Sequence, residues 1–322
     1  PALCSLRQRR AFFKDMGQRP VFMKGIVFMK KKANVRDLVE LVMNGVFFLM
    51  GMTAIAFVAL ITVYMFVSGL PAIAKIGPVD FLLGRTWAST AAQPSYGILP
   101  FILTSFFGTL GAVLIGIPVG LLTSVFLSKI ASPRMAALVS SAVELLAGIP
   151  SVIYGLIGMV VLVPAVASVF GLASGACMLT AILVLAVMIL PSIISVSVTA
   201  LNAVPKEYEE ASLALGATKI ETYFKVSLPA AKSGIAAGIV LGVGRAMGEA
   251  MAIMMVAGNV ANMPGLFKSV RFLTTAIASE MSYASGLQRQ ALFSIALVLF
   301  VFIMLLNALL NRILKGGSED EH

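Results

Sequence analysis

Residues 228–257 read LPAAKSGIAAGIVLGVGRAMGEAMAIMMVA, a run apolar enough to cross a bilayer that still carries Arg245 and Glu249 near its middle. A spanning helix needs about 20 residues, and a charge shown to lipid at its centre costs at least about 2.5 kcal/mol. The segment must therefore face protein or a wetted cavity. Gly242, Gly244 and Gly248 surround the charges and leave space beside the helix for another helix or for solute.

The rest of the chain supplies such surroundings. Of 322 residues, 59% are apolar and 12% charged, where a soluble chain is about one quarter charged. The expected fold is an all-α polytopic membrane protein with six transmembrane helices, over residues 46–67, 98–127, 135–164, 176–198, 233–257 and 291–310. SGLP (68–71) ends the first span. Gly108, Gly111, Gly116 and Gly120 in the second allow close helix contact, and Pro118 predicts a tilt or bend. AGIPSVIYG interrupts the third: Pro150 has no N–H to give, so Gly148 and Pro150 mark a helix break. Trp87 and Tyr96 suit an interfacial level. A short interfacial helix is expected over Asp37–Asn44, and another short helix near Leu266–Met281.

Charge orients this arrangement. Ten of the 24 Lys and Arg precede the first span. Eighteen fall in segments placed inside and five in segments placed outside, so both termini are expected in the cytoplasm. That gives a basic cytoplasmic segment 1–44, which anionic membrane lipids attract. A transmembrane permease domain follows at 45–311, with a cytoplasmic segment at 199–232, and then a cytoplasmic tail at 312–322. The same distribution speaks against nucleic acid as a partner. Two cysteines far apart and a single terminal His give neither a disulfide framework nor a metal site.

Arg245 and Glu249 are four apart, so an unbroken helix places them on one face, about 6 Å apart along its axis. In one reading they pair with each other or with Glu144 and lock the bundle. In the other, the Arg245 fork of five donors receives a passing oxyanion and Glu249 limits how tightly it is held. Glu144, expected inside the third span, pairs with a basic group or stays protonated where burial raises its pKa; the residues leave this open. In the inner segment, Pro205 opens a helix carrying Glu207, Glu209 and Glu210 in its first turns. Gly216 ends that helix, a second short apolar piece follows, and Pro229 stops it. An acidic helix with an exposed apolar side fits a groove on a cytoplasmic partner.

EASLALGATKIETYFKVSLP (210–229) resembles the EAA loop of ABC-importer permeases, with Glu210, Ala211, Gly216, Leu228 and Pro229 matching and Ser212 replacing the third small residue. YGILPFI (96–102), LLAGIPSVIYG (145–155) and GRAMGEAMA (244–252) further resemble the PstC family of permease subunits of the high-affinity phosphate importer. The resemblance implies a type I ABC-importer permease fold in the bacterial inner membrane and no enzymatic activity in this chain. It implies passage of inorganic phosphate along Arg245, Glu249 and Glu144, with gating or helix breaks at Gly148, Pro150, Gly244 and Gly248. Glu209, Glu210, Ala211 and Gly216 would form the coupling helix. Its partners would be a PstA-like second permease, a PstB-like ATPase dimer and a PstS-like periplasmic phosphate-binding protein. No cofactor is expected on this chain, which has no GxxxxGK[ST] loop; ATP and Mg belong to the partner subunits. The competing readings are a PstA-type sister permease, a permease for sulfate or molybdate, and an ATP-independent anion carrier or channel.

Overall fold

A computed structural model describes residues 35–316. Two compact units divide at Leu60/Ile61. Most of the basic segment 1–44 and the end of the tail lie outside the described residues. Helix α1 (Val35–Ile76) runs through the expected 44/45 boundary, so Asp37–Asn44 is part of one long helix and no separate interfacial helix forms. Apolar side chains along residues 39–60 are exposed, as lipid-facing residues would be.

In the second unit, α1 does not stop at SGLP. It continues through Pro71 to Gly77, whose φ of 97° suits glycine. Pro inside a membrane helix is tolerated where a neighbouring helix supports the backbone. Here Gly69 lies against the backbone of Phe293 and Ser294, and the Ser294 hydroxyl donates to the Gly69 carbonyl at 2.5 Å. Helix α2 (Pro78–Leu83) and a two-residue hairpin, β1 (Trp87–Ala88) with β2 (Ser95–Tyr96), follow. Trp87 and Tyr96 do not face outward. They stack edge to face and are buried with Phe81, Phe101 and Leu273.

Helix α3 (Leu99–Val125), with Pro118 inside it, closes in a π-turn at Phe126–Ile130. Helix α4 (Pro133–Gly148) starts with the Ser132 hydroxyl accepting from Met135 N–H. It breaks at Ile149–Pro150 and resumes as α5 (Ser151–Ile157), a π-turn (Gly158–Leu162) and α6 (Val163–Phe170). The third span is therefore Ser151–Phe170, not 135–164. Pro133 and Pro150 frame α4 as a helix of its own. Glu144 thus precedes the break and sits exposed on α4.

Helix α7 (Met178–Asn202) is the central element, with most of its apolar side chains buried. Close approach to α3 depends on glycine: a Cβ at Gly116 would lie 2.5 Å from Ile189 Cδ1, and one at Gly120 2.8 Å from Ile193 Cγ2. Then come α8 (Lys206–Ala214), α9 (Lys219–Thr222), a π-turn (Tyr223–Ser227) and α10 (Leu228–Ala230). Gly216, at φ 88°, turns the chain between α8 and α9. Pro229 opens α10 rather than stopping the segment. The turn comes at Ala231, where the axis bends by 73° into α11 (Lys232–Gly248). Helices α12 (Met251–Val256), α13 (Leu273–Glu280) and α14 (Gly286–Gly316) complete the chain. The last runs past the expected tail boundary at 312. Among the described residues, five helices are long and apolar enough to cross a membrane, and the bent segment leading into α11 makes a sixth.

Candidate functional site

The apolar run 228–257 does not form one helix. Helix α11 ends at Gly248, and Glu249 takes an extended conformation (φ −73°, ψ 128°). The face shared by Arg245 and Glu249, expected from four-residue spacing, is therefore lost. One residue and two contacts account for the break. Gly248 weakens the helix, the Glu249 carboxylate accepts from Ala252 N–H at 3.0 Å, and the Thr274 hydroxyl donates to the freed Glu249 carbonyl at 2.7 Å. Side chains thus take over the hydrogen bonds the backbone gives up.

A second break matches it one hundred residues earlier. Helix α4 ends at Gly148 and Ile149 takes φ −71°, ψ 126°, close to the values at Glu249. Each broken helix also follows a π-turn, at 126–130 and at 223–227. The segments beyond the breaks, α5 and α12, pack side by side. A Cβ on Gly155 would lie 2.8 Å from Ala252 Cα and 2.8 Å from Met255 Sδ, and one on Gly158 2.8 Å from Val256 Cγ1. Paired interrupted helices at corresponding positions are a recurrent way for transporters to build a binding site inside the bilayer.

Arg245 lies three residues before the end of α11, half-buried, and near enough to act electrostatically on the Tyr154 hydroxyl. Tyr154 is buried on α5 and donates to the Leu146 carbonyl of α4 at 2.6 Å, bridging the first break. Among the described residues Arg245 pairs with neither Glu249 nor Glu144, so its donors are not committed to an internal lock. Gly148, Gly244 and Gly248 have open space where a side chain would go. Glu144 lines a cavity of about 600 Å³ with Gly148 and Pro150, and another of about 200 Å³ with Ser140, Ser195 and Thr199. Arg245 lines neither. The structure thus places Arg245 and Glu249 at the second break and Tyr154 across the first, and leaves Glu144 exposed on α4 ahead of it.

The surface segment divides its two adjacent acids between roles. Glu210 is exposed. Glu209 turns inward, paired with Lys129 Nζ at 2.5 Å and accepting from the Ser227 hydroxyl at 2.9 Å. Burial pulls the Glu209 carboxyl upward. The hydrogen bonds from Lys129 and Ser227, with the positive charge of Lys129 and Lys206, outweigh this and hold it below the usual carboxylate range. Ala211 and Gly216 are exposed, as are Tyr208 and Ile220, and Leu215 is 90% exposed. Together they form an exposed apolar face edged by Glu210.

Two features escaped sequence reasoning. Lys129 counted only as inside positive charge, and nothing in the sequence pointed it at Glu209. At the other end of α3, Glu280 accepts from Trp87 Nε1 at 3.0 Å, Ser89 at 3.1 Å and Gln288 at 3.0 Å, and pairs with Arg271 at 2.5 Å. Arg271 also donates to the Asn259 carbonyl. This network ties the hairpin to α13 and the start of α14. Glu280 and Trp87 lie 193 residues apart in sequence, beyond any local pattern.

A model of the family described as the binding-protein-dependent transport system inner membrane component matches residues 116–316, which include both breaks, α8 and Arg245. The chain belongs to this family. It is a multi-pass inner-membrane transport component and not an enzyme. A probable ABC transporter permease, YqgH of Bacillus subtilis, is 39% identical over 78% of this chain and 84% of its own length. The phosphate transport system permease PstC of Pasteurella multocida is 37% identical over 69% of this chain and 75% of its own. PstC of Haemophilus influenzae is 34% identical over 69% and 76%. Among solved structures, a chain of a bacterial alginate ABC transporter aligns with TM-score 0.58 at 14% identity, covering 87% of this permease and 96% of itself. The MetNI methionine transporter aligns at 0.52 and 23% identity, over 74% and 98%. At those identities the structures speak for the fold alone, that of a type I ABC-importer permease.

Proposed function

We propose that this permease passes inorganic phosphate from a periplasmic binding protein to the cytoplasm, driven by a separate ATPase dimer and beside a second permease subunit. The observation that carries this reading is Arg245. It is a fork of donors held beside the helix break at Glu249, without an internal ion-pair partner among the described residues, in a chain 37% and 34% identical to two phosphate permeases. Guanidinium matches the paired oxygens of phosphate, and its charge favours an anion. Open space at Gly148, Gly244 and Gly248 lets a hydrated anion approach, since full dehydration inside an apolar bundle is prohibitive. Glu249 caps α12 and limits residence of the anion, and Glu144 stands on the approach. The face of α8 around Ala211, Leu215 and Gly216 docks on the ATPase, where ATP and Mg bind. The basic N-terminal segment and the C-terminal end of α14 lie on the cytoplasmic side, with the permease domain between them. The test is uptake of radiolabelled phosphate by the assembled transporter in proteoliposomes, with sulfate as competitor. Uptake that needs ATP and resists excess sulfate is expected. Uptake blocked equally by sulfate, or independent of ATP, overturns the reading.

A further inference from the structure

Helix α8 buries none of its side chains. Apolar packing therefore does little to hold it to the bundle, and beyond the chain connections at its two ends a force applied to its exposed face reaches the spans through polar contacts. One contact stands out. A single carboxylate oxygen, Glu209 Oε1, meets both Lys129 Nζ and the Ser227 hydroxyl. The side chains of Lys129 and Glu209 are only 12% and 19% exposed, so water does not screen the pair as it would on an open surface.

The two partners belong to different spans. Lys129 sits in the π-turn that closes α3, and Ser227 ends the π-turn that leads through α10 into α11, which carries Arg245. Those spans grip α7 from two sides at the same residue. A Cβ on Gly120 of α3 would lie 2.8 Å from Ile193 Cγ2, and one on Gly242 of α11 3.0 Å from Ile193 Cγ1. Helices α3, α7 and α11 thus form a close-packed block, and close-packed interiors transmit displacement rather than absorb it. The remaining charges of the segment, Lys206, Glu207, Glu210, Lys219, Glu221 and Lys225, are exposed and offer no comparable grip. The Ser212–Thr222 hydroxyl contact at 2.9 Å joins α8 only to α9.

We infer that Glu209 is a positioning residue for transport, the tie through which movement of α8 is delivered to α3 by Lys129 and to the Arg245-bearing span by Ser227. This inference rests on ATP-driven import and is independent of which anion is carried. Losing the tie leaves ATP hydrolysis running while the spans no longer follow.

The experiment uses the assembled transporter with Glu209→Gln, Lys129→Met and the exchanged pair Lys129→Glu/Glu209→Lys. Two readouts are taken. One is phosphate moved per ATP hydrolysed, and the other is the mobility of a spin label at Glu207→Cys, which reports the hold on α8 whatever the substrate. Each single variant is expected to keep its ATPase on purification, to lower phosphate per ATP by about tenfold or more, and to loosen the label. The exchanged pair is expected to restore both. Singles with unchanged transport ratio and unchanged label mobility overturn the inference. So does an exchanged pair as impaired as the singles. Loss of the ATPase from all three variants also overturns it, in favour of a folding role. A wild-type complex that moves no phosphate counts against the phosphate reading alone, and the label then decides the tie.

Discussion

Replacing Gly155 by Ala tests the packing of the two half-helices directly. The added Cβ would lie 2.8 Å from Ala252 Cα, 2.8 Å from Met255 Sδ and 3.1 Å from the Ala252 carbonyl oxygen. Carbon contacts settle at about 3.5–4.0 Å, so α5 and α12 must part by roughly 0.7 Å or more. Met255 can swing aside, but the Ala252 backbone cannot. Overpacking of this kind costs about 1–3 kcal/mol. Because the clash is with backbone, the cost sits in the upper part of that range, about 2–3 kcal/mol; the better helix propensity of Ala returns up to about 1 kcal/mol, which leaves a net loss of about 1–2 kcal/mol. At about 2–4 °C per kcal/mol for a domain of this size, the unfolding midpoint in detergent should fall by several degrees. Gly248→Ala is the control. Nothing lies within 4 Å of a Cβ there and its φ is negative, so the midpoint should hold while phosphate flux falls if that space admits the anion. A Gly155→Ala protein as stable as wild type refutes the packing argument.

Three further outcomes follow from the geometry. Leu215→Glu, at a residue 90% exposed, should change the stability of this chain by no more than about 0.5 kcal/mol yet release the ATPase on co-purification; retention of the ATPase counts against α8 as the docking face. Glu280→Gln should lower stability by about 1–3 kcal/mol, less than a fully buried pair because both partners keep some solvent contact, and thermal unfolding with no shift would contradict the network's role. The Glu209 carboxyl is held below its ordinary value of 4.5, so its hold on α8 is complete above that value and is lost as pH falls through the lower, folded-state value. Hydrogen exchange of residues 206–214, corrected for intrinsic rates, should therefore stay protected down to about pH 4.5 and open only below; protection lost at a higher pH contradicts the assignment.

Spans with uniform apolar content were legible because length and hydropathy suffice to define them. Met178–Asn202 and Leu99–Ile130 fall close to their expected limits. The segment after Pro205 was legible for another reason: proline opens a helix and Gly216 adopts a positive φ, and both are local requirements. From the residues alone breaks were legible where proline announced them; the one at Gly248 was expected only through the family resemblance. Pro150 signalled the one after α4, whereas the break at Glu249 needs Thr274 and Ala252 to receive its hydrogen bonds, and Thr274 is 25 residues away in sequence. The expected Arg245–Glu249 face failed for that reason. Pro71 misled in the opposite direction, because Ser294 supports the backbone of α1 from another helix. Glu209 and Glu280 share one lesson: an acidic residue reveals its partners only once distant elements are in place.

The central claim is that the Arg245 guanidinium receives the anion with a fixed fork of donors. Arg245→Lys keeps the charge and removes the fork. The account predicts that the assembled transporter retains its ATPase and its ATP hydrolysis but loses phosphate uptake by about tenfold or more, the weight of about 1.4 kcal/mol in recognition. Normal phosphate uptake by a well-assembled Arg245→Lys transporter would contradict it.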